Sequence, residues 1–152
     1  MSEWCFEKID PLDWESLSAV SRIDLDAFGS EGLRPSQLSL LGRAGEIMVI
    51  REDKDITAEA VVLGSIGKSK AFLFSLAVDD GLRRKGRGLR LMLEILRYLQ
   101  DSKVETIELT VDPQNLPALN FYRSKLGFRE IGYYPCHLGP NRPRLLFSKS
   151  LT

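Results

Sequence analysis

The chain has 152 residues, of which 43% are hydrophobic, and this composition predicts one folded domain rather than a disordered chain. Lysine plus arginine number 21, as do aspartate plus glutamate, so the net charge is zero. That balance argues against a general polyanion binder and confines any basic patch to a short segment. We therefore expect a single domain over residues 1–152.

The cysteines and the chain ends bear on cellular location. Cys5 and Cys136 lie far apart and form no CxxC pair, which is typical of free thiols in a reducing compartment and argues against a zinc site. The first residues are acidic and lack the apolar run of a signal peptide, and no segment is long and apolar enough to cross a bilayer. These features predict a soluble, cytoplasmic protein with no metal and no membrane contact.

The front of the chain is predicted to contain a strand, two helices and three further strands. Asp13 suits the N-cap of the first helix, and Trp14, Leu17 and Val20 then recur at helical spacing. The strand 71–78 is apolar at nearly every position, which predicts a central strand covered on both faces. The predicted elements are a strand at 4–9, helices at 11–28 and 35–45, and strands at 46–52, 58–66 and 71–78.

The back of the chain alternates helices with strands. Asn115 suits the N-cap of the second helix there, and Gly127 stands where a left-handed residue ends it. The apolar face of the longest helix is predicted to be Leu89, Met92, Leu93, Leu96 and Leu99. The predicted elements are helices at 88–102 and 116–126 and strands at 104–111, 128–134 and 144–151. The order β-α-α-β-β-β-α-β-α-β-β predicts an α/β protein with one mixed sheet and helices on both faces.

The basic segment "LRRKGRG" at residues 82–88 follows the central strand and precedes the longest helix. The first N–H groups of that helix are unpaired and carry the positive end of its dipole. Gly86 and Gly88 let a ligand approach the backbone, so the segment predicts a site for a compact anion such as pyrophosphate. A solvated turn is the alternative, whereas nucleic acid would require a wider basic face and stacking aromatic residues. The cations of the segment are Arg83, Arg84, Lys85 and Arg87.

A second glycine-containing segment, "GSIGKS" at residues 64–69, imitates a nucleotide-binding loop. The pattern G-x-x-x-x-G-K-[ST] requires glycine at position 62, where this chain has Val62. We therefore predict a hairpin turn there.

Two segments, "FSLAVDDGLRRKGRG" and "NLPALNFYRSKLGF", resemble the GNAT superfamily of acyl-CoA-dependent N-acyltransferases. The resemblance follows the element order of nearly the whole chain and is sharpest from Phe74 to Phe128. The pyrophosphate-loop signature [Q/R]-x-x-G-x-[G/A] falls on Arg83, Gly86 and Gly88. The later motif, an asparagine followed by a helix ending in Y-x-x-x-x-G-F, falls on Asn115, Tyr122, Gly127 and Phe128.

The resemblance implies a GNAT-like, mostly antiparallel twisted sheet and an acetyl-CoA-dependent N-acetyltransferase. The acceptor would be a primary amine, of a small molecule or of a protein N-terminus, that attacks directly in a ternary complex. The main-chain N–H groups from Arg84 to Leu89 would hold the pyrophosphate of the co-substrate. Leu76 and Val78 would pair with its pantetheine arm, and Asn115 would contact the same arm.

Tyr122 would be the general acid, by the same resemblance. A thiol has a pKa of about 8.5 and a tyrosine of about 10, so the hydroxyl can pass a proton to a departing thiolate. A backbone N–H near Val78 could stabilise the oxyanion. The alternative for Tyr122 is an aromatic ring that only packs on a helix face.

The general base is where the chain departs from many relatives, which carry a glutamate on the strand before the asparagine motif. Thr110 stands at that position. Glu108, two residues back on the same strand face, could reach the site through a water or be an ordinary exposed carboxylate. Asp112 is better suited to capping a turn. Without a positioned base, an amine of low pKa is the easier acceptor, because a lysine amine must be deprotonated against about 4 to 5 kcal/mol at neutral pH.

The acceptor would lie between the loop after the first helix and the loop between the last two strands. Tyr133, Tyr134 and His137 could line that slot, although a lone loop histidine is more often a surface residue. Arg142 and Arg144 could meet an acidic group on the acceptor, or could be solvated surface cations.

Three functions therefore remain at the level of sequence: an N-acetyltransferase, a CoA-binding regulatory domain without turnover, and a nucleic-acid module using the basic loop. The first is favoured, and no nucleic-acid partner is expected. Dimers are frequent in the resembled family, so a homodimer is compatible with the sequence.

Overall fold

The computed structural model describes residues 3–64 and 69–152. Its elements follow the predicted order of strands and helices. They are β1 (Trp4–Lys8), α1 (Trp14–Phe28), α2 (Pro35–Leu41), β2 (Gly45–Glu52), β3 (Asp55–Gly64), β4 (Lys70–Val78), α3 (Arg87–Asp101), β5 (Thr106–Val111), α4 (Leu116–Asn120), β6 (Arg129–Tyr134) and β7 (Arg144–Ser150). Short 3-10 turns follow α1 at Gly29–Glu31 and β4 at Asp80–Leu82, and a π-helical turn, Phe121–Lys125, extends α4.

The strands form one seven-stranded sheet in the order β1-β2-β3-β4-β5-β7-β6. Strands β4 and β5 run parallel, and each other neighbouring pair in the described sheet is antiparallel. This confirms the predicted mixed, mostly antiparallel sheet. The hairpin turn predicted within residues 64–69 falls largely on residues 65–68, which lie outside the described part of the chain.

Two hydrophobic cores cover the two faces of the sheet. The α3-side core packs α3, through residues such as Leu91 and Ile95, against the sheet, and α4 with its π-helical turn lies against the same core. The α1-side core packs α1 and α2, through residues such as Leu17 and Leu38, against the other face. The prediction of helices on both faces is therefore confirmed.

Two residues predicted on apolar helix faces are exposed instead. Trp14 is the first residue of α1 and is 53% exposed, because the helix begins there rather than at residue 11. Leu93 is 51% exposed on α3, and Leu91 is fully buried in its place. Asp13 caps α1 as predicted, since its side chain accepts a hydrogen bond from the Ser16 N–H at 3.2 Å.

Strand β4 changes its buried face at a bulge. Val61 of β3 pairs with Ser75 and Val62 with Leu73, so Phe74 has no partner in β3. Leu73 before the bulge faces the α3-side core, and Ala77 after it faces the α1-side core. A bulge inserts one residue and thereby reverses the alternation of side chains.

The predicted central position of β4 in the sheet is confirmed, but the predicted coverage of both its faces is only partial. Phe74 is 47% exposed, and Phe72, Leu76 and Val78 are half-buried. The physical reason is that β4 pairs with β5 only from Lys70 to Phe72. Beyond Phe72, β4 continues along β3 while β5 continues along β7, so the two parallel strands part and leave an open wedge, here called the β4–β5 gap.

A buried polar cluster joins α1, β3 and β4 beneath this strand. Ser75 of β4 donates a short hydrogen bond to the Asp24 carboxylate, which also accepts the N–H of Leu33 at 2.7 Å. Glu59 of β3 is fully buried, and neither of its carboxyl oxygens has a hydrogen-bond partner among the described residues. Burial and the neighbouring Asp24 carboxylate raise the pKa of Glu59 well above its usual range. The protonated acid is therefore the form that this cluster accommodates.

The substitution Glu59→Gln should change how stability depends on pH. A carboxyl group whose pKa is raised by folding contributes full stability below its unfolded-state pKa of about 4.3, and that contribution is lost as pH rises toward the folded-state pKa. The free energy of unfolding of the wild type should thus fall above about pH 4.3 by up to about 1.4 kcal/mol per pH unit from this group. Glu59→Gln, which stays neutral, should lose that slope in urea titrations from pH 5 to 8. Asp26→Asn on the exposed side of α1 is the control, and parallel curves for Glu59→Gln and wild type would contradict the assignment.

Candidate active site

The basic loop between β4 and α3 presents a row of unpaired main-chain N–H groups. No oxygen of the described residues accepts a hydrogen bond from the N–H groups of residues 83 to 89, and the first helical bond runs from Arg90 N–H to Gly86 O at 3.0 Å. Arg84 and Gly86 both have left-handed backbone conformations, with φ of 64° and 86°. Alternating left-handed residues of this kind turn successive N–H groups toward one point, which is the geometry of an anion cradle.

Two arginines of this loop, Arg83 and Arg87, bind other groups of the protein. Arg87 donates from Nε to Glu52 Oε2 at 2.5 Å and from Nη2 to Oε1 at 2.9 Å, and both side chains are largely buried. Hydrogen bonding to Arg87 lowers the pKa of Glu52. Arg83 donates to the carbonyl of Val78 at 3.0 Å and to Asp80 at 2.9 Å. These two guanidinium groups therefore fix the loop and strand end.

The remaining cations of the loop, Arg84 and Lys85, are exposed. Neither forms an ion pair with a described residue. Their charge is therefore available to a ligand anion above the N–H groups.

The β4–β5 gap begins directly beside the cradle. A Cβ on Gly88 would meet Val78 Cγ2 at 3.7 Å and Phe121 Cζ at 3.8 Å. Gly88 thus lies where α3, the end of β4 and the π-helical turn approach one another. Gly88 places no side chain in the space between Val78 and Phe121, here called the passage, and half-buried Leu76 lies further along β4.

Tyr122 is held by packing in the π-helical turn. Its ring makes edge-on contacts with Phe121 and Phe128, with centroids 5.1 and 5.6 Å apart. Its hydroxyl has no hydrogen-bond partner among the described residues. Burial raises the pKa of Tyr122 above its usual range, while the nearby Arg144 guanidinium opposes this rise. The hydroxyl therefore stays protonated at neutral pH and is free to donate.

Asn115 has the capping role that its position predicts. Its side-chain oxygen accepts the N–H of Ala118 at 3.2 Å. That bond orients the side chain and leaves the amide nitrogen, a donor only, unused by the described residues. Gly127 ends the helical segment with φ of 74°, as predicted.

The polar residues of β5 are paired rather than free. Glu108 forms an ion pair with Lys70 at 3.1 Å, at the closed end of the gap where β4 and β5 still pair. Thr110 accepts Arg144 Nε on its hydroxyl at 3.2 Å and Arg144 Nη2 on its carbonyl at 3.1 Å. Asp112 caps the following turn by accepting the N–H of Gln114 at 2.9 Å.

The aromatic residues predicted to line the acceptor slot are exposed in β6 and the turn after it. Tyr133 and Tyr134 are consecutive strand residues, so their side chains point to opposite faces of the sheet. Tyr134 pairs with Arg144 across β6 and β7 and therefore shares a face with it. His137 stacks on Tyr134, with ring centroids 5.4 Å apart.

The sequence did not predict the contacts between distant residues that support the site. Glu52, which anchors Arg87, lies on β2, and no local spacing links the two residues. The bulge at Phe74 leaves no signal in an apolar run.

Within the described ranges, no group of three or more His, Cys, Asp or Glu residues could hold a metal ion, and none of the described helices has the length and apolarity of a membrane span.

The sequence profile described as the Acetyltransferase (GNAT) family matches residues 10–128. The alanine N-acetyltransferase of ribosomal protein bS18 from Salmonella typhimurium is 30% identical over 109 residues, which cover 68% of this chain and 73% of that protein. The L-2,4-diaminobutyric acid acetyltransferase of Virgibacillus pantothenticus is 28% identical over 108 residues, which cover 69% of this chain and 64%, just under two thirds, of that protein. The crystal structure of the ribosomal-protein-S18-alanine N-acetyltransferase from Escherichia coli superimposes with a TM-score of 0.80 and 19% identity, covering 99% of this chain and 95% of that one.

The seven-stranded mixed sheet with helices on both faces, together with these similarities, defines an acetyltransferase fold. The chain belongs to the GNAT family of acetyltransferases. It is an enzyme that transfers an acetyl group from acetyl-CoA to an amine, which confirms the class and co-substrate inferred from its two motifs.

The substitution Gly88→Val should weaken coenzyme A binding at least about tenfold, because its methyl groups would fill the passage between Val78 and Phe121. Isothermal titration calorimetry with coenzyme A measures this directly. Gly81→Val is the matched control, since a Cβ at Gly81 meets no atom within 4 Å and its φ lies outside the left-handed region. Binding by Gly88→Val as tight as by the wild type would contradict this placement of the passage.

Proposed function

We propose that the N–H groups of residues 83 to 89 bind the pyrophosphate of acetyl-CoA and that its pantetheine arm lies in the β4–β5 gap. Acetyl-CoA supplies the acetyl group as an activated thioester. The unpaired N–H groups beside an open strand edge are the observation that carries this proposal. An extended arm with its own amides suits that edge, at Leu76 and Val78, in the manner of an added strand. The unused amide of Asn115 faces no competing partner in the described chain and would contact the arm.

Tyr122 would then be the general acid. Burial raises its pKa, which keeps the hydroxyl protonated at neutral pH and makes it a weaker acid than a free tyrosine. The hydroxyl makes no hydrogen bond with a described residue that would have to be broken. In direct attack within a ternary complex, the neutral amine forms the C–N bond and the C–S bond of the thioester breaks. The departing thiolate takes the Tyr122 proton, the nitrogen releases one proton to solvent, and solvent reprotonates Tyr122. A main-chain N–H near Val78 would stabilise the developing oxyanion.

The acceptor amine would be neutral before it attacks. Glu108 is engaged by Lys70 and Thr110 by Arg144, so neither carboxylate nor hydroxyl is poised as a strong base. Glu108 could act only by way of a water from the closed end of the gap. The α-amino group of a small molecule or a peptide is favoured, because it loses its proton more easily than a lysine amine. The names of two relatives show that amines of both a protein and a small molecule are acceptors among similar proteins: one acts on an alanine of ribosomal protein bS18 and the other on L-2,4-diaminobutyric acid.

A CoA-binding regulatory domain without turnover is the second candidate. The observation that favours it is the pairing of both candidate base residues on β5. Incubation with acetyl-CoA and a panel of amines, followed by titration of free thiol, separates the two: amine-dependent thiol release supports the transferase, and tight binding without release supports the regulatory domain.

We also propose the domain organisation, cellular location and oligomeric state of the enzyme. One sheet runs from β1 to β7, which supports a single domain over residues 1–152. Cys5 and Cys136 are both free and exposed, as expected in the cytoplasm. A homodimer is compatible with this arrangement, and sedimentation would decide it.

Replacing Tyr122 by phenylalanine should lower kcat about a hundredfold or more, because the departing thiolate loses its proton donor while ring packing is kept. The affinity for coenzyme A should change by less than about twofold. Stopped-flow thiol release measures the first quantity and calorimetry the second. Tyr98→Phe on α3 is the control, and an unchanged kcat in Tyr122→Phe would contradict the acid role.

Two isomeric acceptors test the preference for low-pKa amines. Nε-acetyl-lysinamide offers an α-amine and Nα-acetyl-lysinamide an ε-amine, with the same atoms otherwise. At pH 7 we expect kcat/KM to favour the α-amine, and the ε-amine rate to rise about tenfold per pH unit toward its pKa of about 10.4. Higher kcat/KM for the ε-amine at pH 7 would overturn this preference.

A further inference from the structure

The acceptor side of the gap contains a half-buried guanidinium with no carboxylate partner. Arg144 lies at the first position of β7, and its contacts are both with Thr110: Nε to the hydroxyl at 3.2 Å and Nη2 to the carbonyl at 3.1 Å. No carboxylate of the described residues forms an ion pair with it. Burial is the main cause that lowers the pKa of this guanidinium. A partly desolvated guanidinium without a directly bonded carboxylate is costly unless a ligand supplies one.

The free part of this side chain has the geometry of a carboxylate fork. Thr110 occupies the edge formed by Nε and Nη2. The outer edge, formed by Nη1 and Nη2, keeps its N–H groups for another partner, and two parallel N–H groups match the two oxygens of a carboxylate. Because Thr110 holds the opposite edge, the fork is already oriented before any ligand arrives.

The charged groups around Arg144 are already engaged by other partners. The Asp112 carboxylate, whose charge opposes the lowering of the Arg144 pKa, caps a turn by accepting the Gln114 N–H at 2.9 Å. Glu31 is paired with Arg142 at 2.7 Å. Tyr122 is neutral, because burial raises its pKa. A ligand carboxylate would therefore meet a guanidinium edge that no carboxylate of the described residues occupies.

We propose that Arg144 binds a carboxylate of the acceptor, so that the acceptor is a small amine with a carboxylate close to the amino group, as in a free amino acid. The inference rests on the proposed function, because it assigns the acceptor of that same site. Thr110 occupies the position where relatives place a base next to the amine, and Arg144 touches Thr110. The carboxylate must therefore lie within a few bonds of the reacting nitrogen.

The same contact would assist deprotonation of the acceptor. In a free amino acid the carboxylate stabilises the neighbouring ammonium group and keeps its pKa high. When Arg144 binds the carboxylate, that stabilisation is withdrawn and the cation itself disfavours the ammonium form. An amine bound in this way loses its proton more easily without a dedicated carboxylate base.

The loops above the slot favour a small acceptor over a peptide. Arg142 of the β6–β7 loop reaches Glu31 of the turn after α1, which joins the two segments that would have to part around a long acceptor. The pair is exposed, with 46% and 61% of the side chains accessible, so it restricts the slot without sealing it.

The first test compares acceptors that differ only in the carboxylate. Alanine is paired with alaninamide, and 2,4-diaminobutyrate with its carboxamide, and kcat/KM is measured with wild type and Arg144→Gln. The ratio of acid to amide should fall about ten- to hundredfold in the variant, mainly through KM of the acid, as expected for loss of a charge-assisted pair. Comparing the ratio between enzymes cancels the intrinsic difference in amine basicity.

Two further variants sharpen this result. Arg144→Lys keeps the charge but not the fork and should restore only part of the ratio. Arg129→Gln removes an exposed cation from the neighbouring strand and should leave the ratio as in the wild type. The inference would be overturned if Arg144→Gln had the same acid-to-amide ratio of kcat/KM as the wild type. It would also be overturned if the wild type and Arg144→Gln both preferred a peptide amide over the free acids to the same extent.

The second test needs no turnover. In protein loaded with coenzyme A, the 15Nε NMR signal of Arg144, assigned by its loss in Arg144→Gln, should shift on adding N-acetylalanine and not on adding N-acetylalaninamide. Equal or absent shifts would refute carboxylate binding. If the signal shifts but no amine is acetylated, acetyl transfer fails as the function while the carboxylate site stands. If amines are acetylated but the signal does not shift, the carboxylate site is refuted and acetyl transfer stands.

Discussion

The parting of β4 from β5 is the constraint on which the rest of the site depends. Two parallel strands that begin as neighbours stop pairing after Phe72, yet each remains bonded along its other edge, β4 to β3 and β5 to β7. Each edge of the gap is therefore held by its other neighbour, although the inward main-chain groups lack a strand partner. A preformed gap of this kind suits an extended ligand, because the free energy needed to separate the two strands is spent on folding rather than on binding.

Charge in the cradle serves two separate purposes. Arg83 and Arg87 use their guanidinium groups to fix the loop against Val78 and Glu52, so the direction of the N–H groups is set before a ligand arrives. Arg84 and Lys85 stay at the surface and contribute attraction. Preorganised dipoles with exposed cations around them suit the proposed binding of a pyrophosphate, and they provide local positive charge in a chain of zero net charge.

The acceptor side differs from the pattern of many relatives in the sign of its charge. Where a carboxylate would draw a proton from the amine, this chain places Thr110 and, bonded to it, the cation Arg144. The proposed general acid, Tyr122, is held by Phe121 and Phe128 rather than by hydrogen bonds. In the proposed reaction the protein supplies the proton donor, whereas deprotonation depends on what the acceptor itself carries.

The sequence by itself determined the element order, the mixed sheet, the cradle segment and the family, because hydrophobic periodicity, caps such as Asp13 and Asn115, and glycine spacing act over a few residues. It misjudged Trp14, Leu93 and the coverage of β4, since exposure depends on which element lies opposite. Only the tertiary structure decided that Glu52 anchors Arg87, that Glu59 is buried beside Asp24, and that Arg144 bonds to Thr110. Each of these joins residues distant in the chain, and a contact between distant residues is set by strand register and packing, which no local pattern encodes.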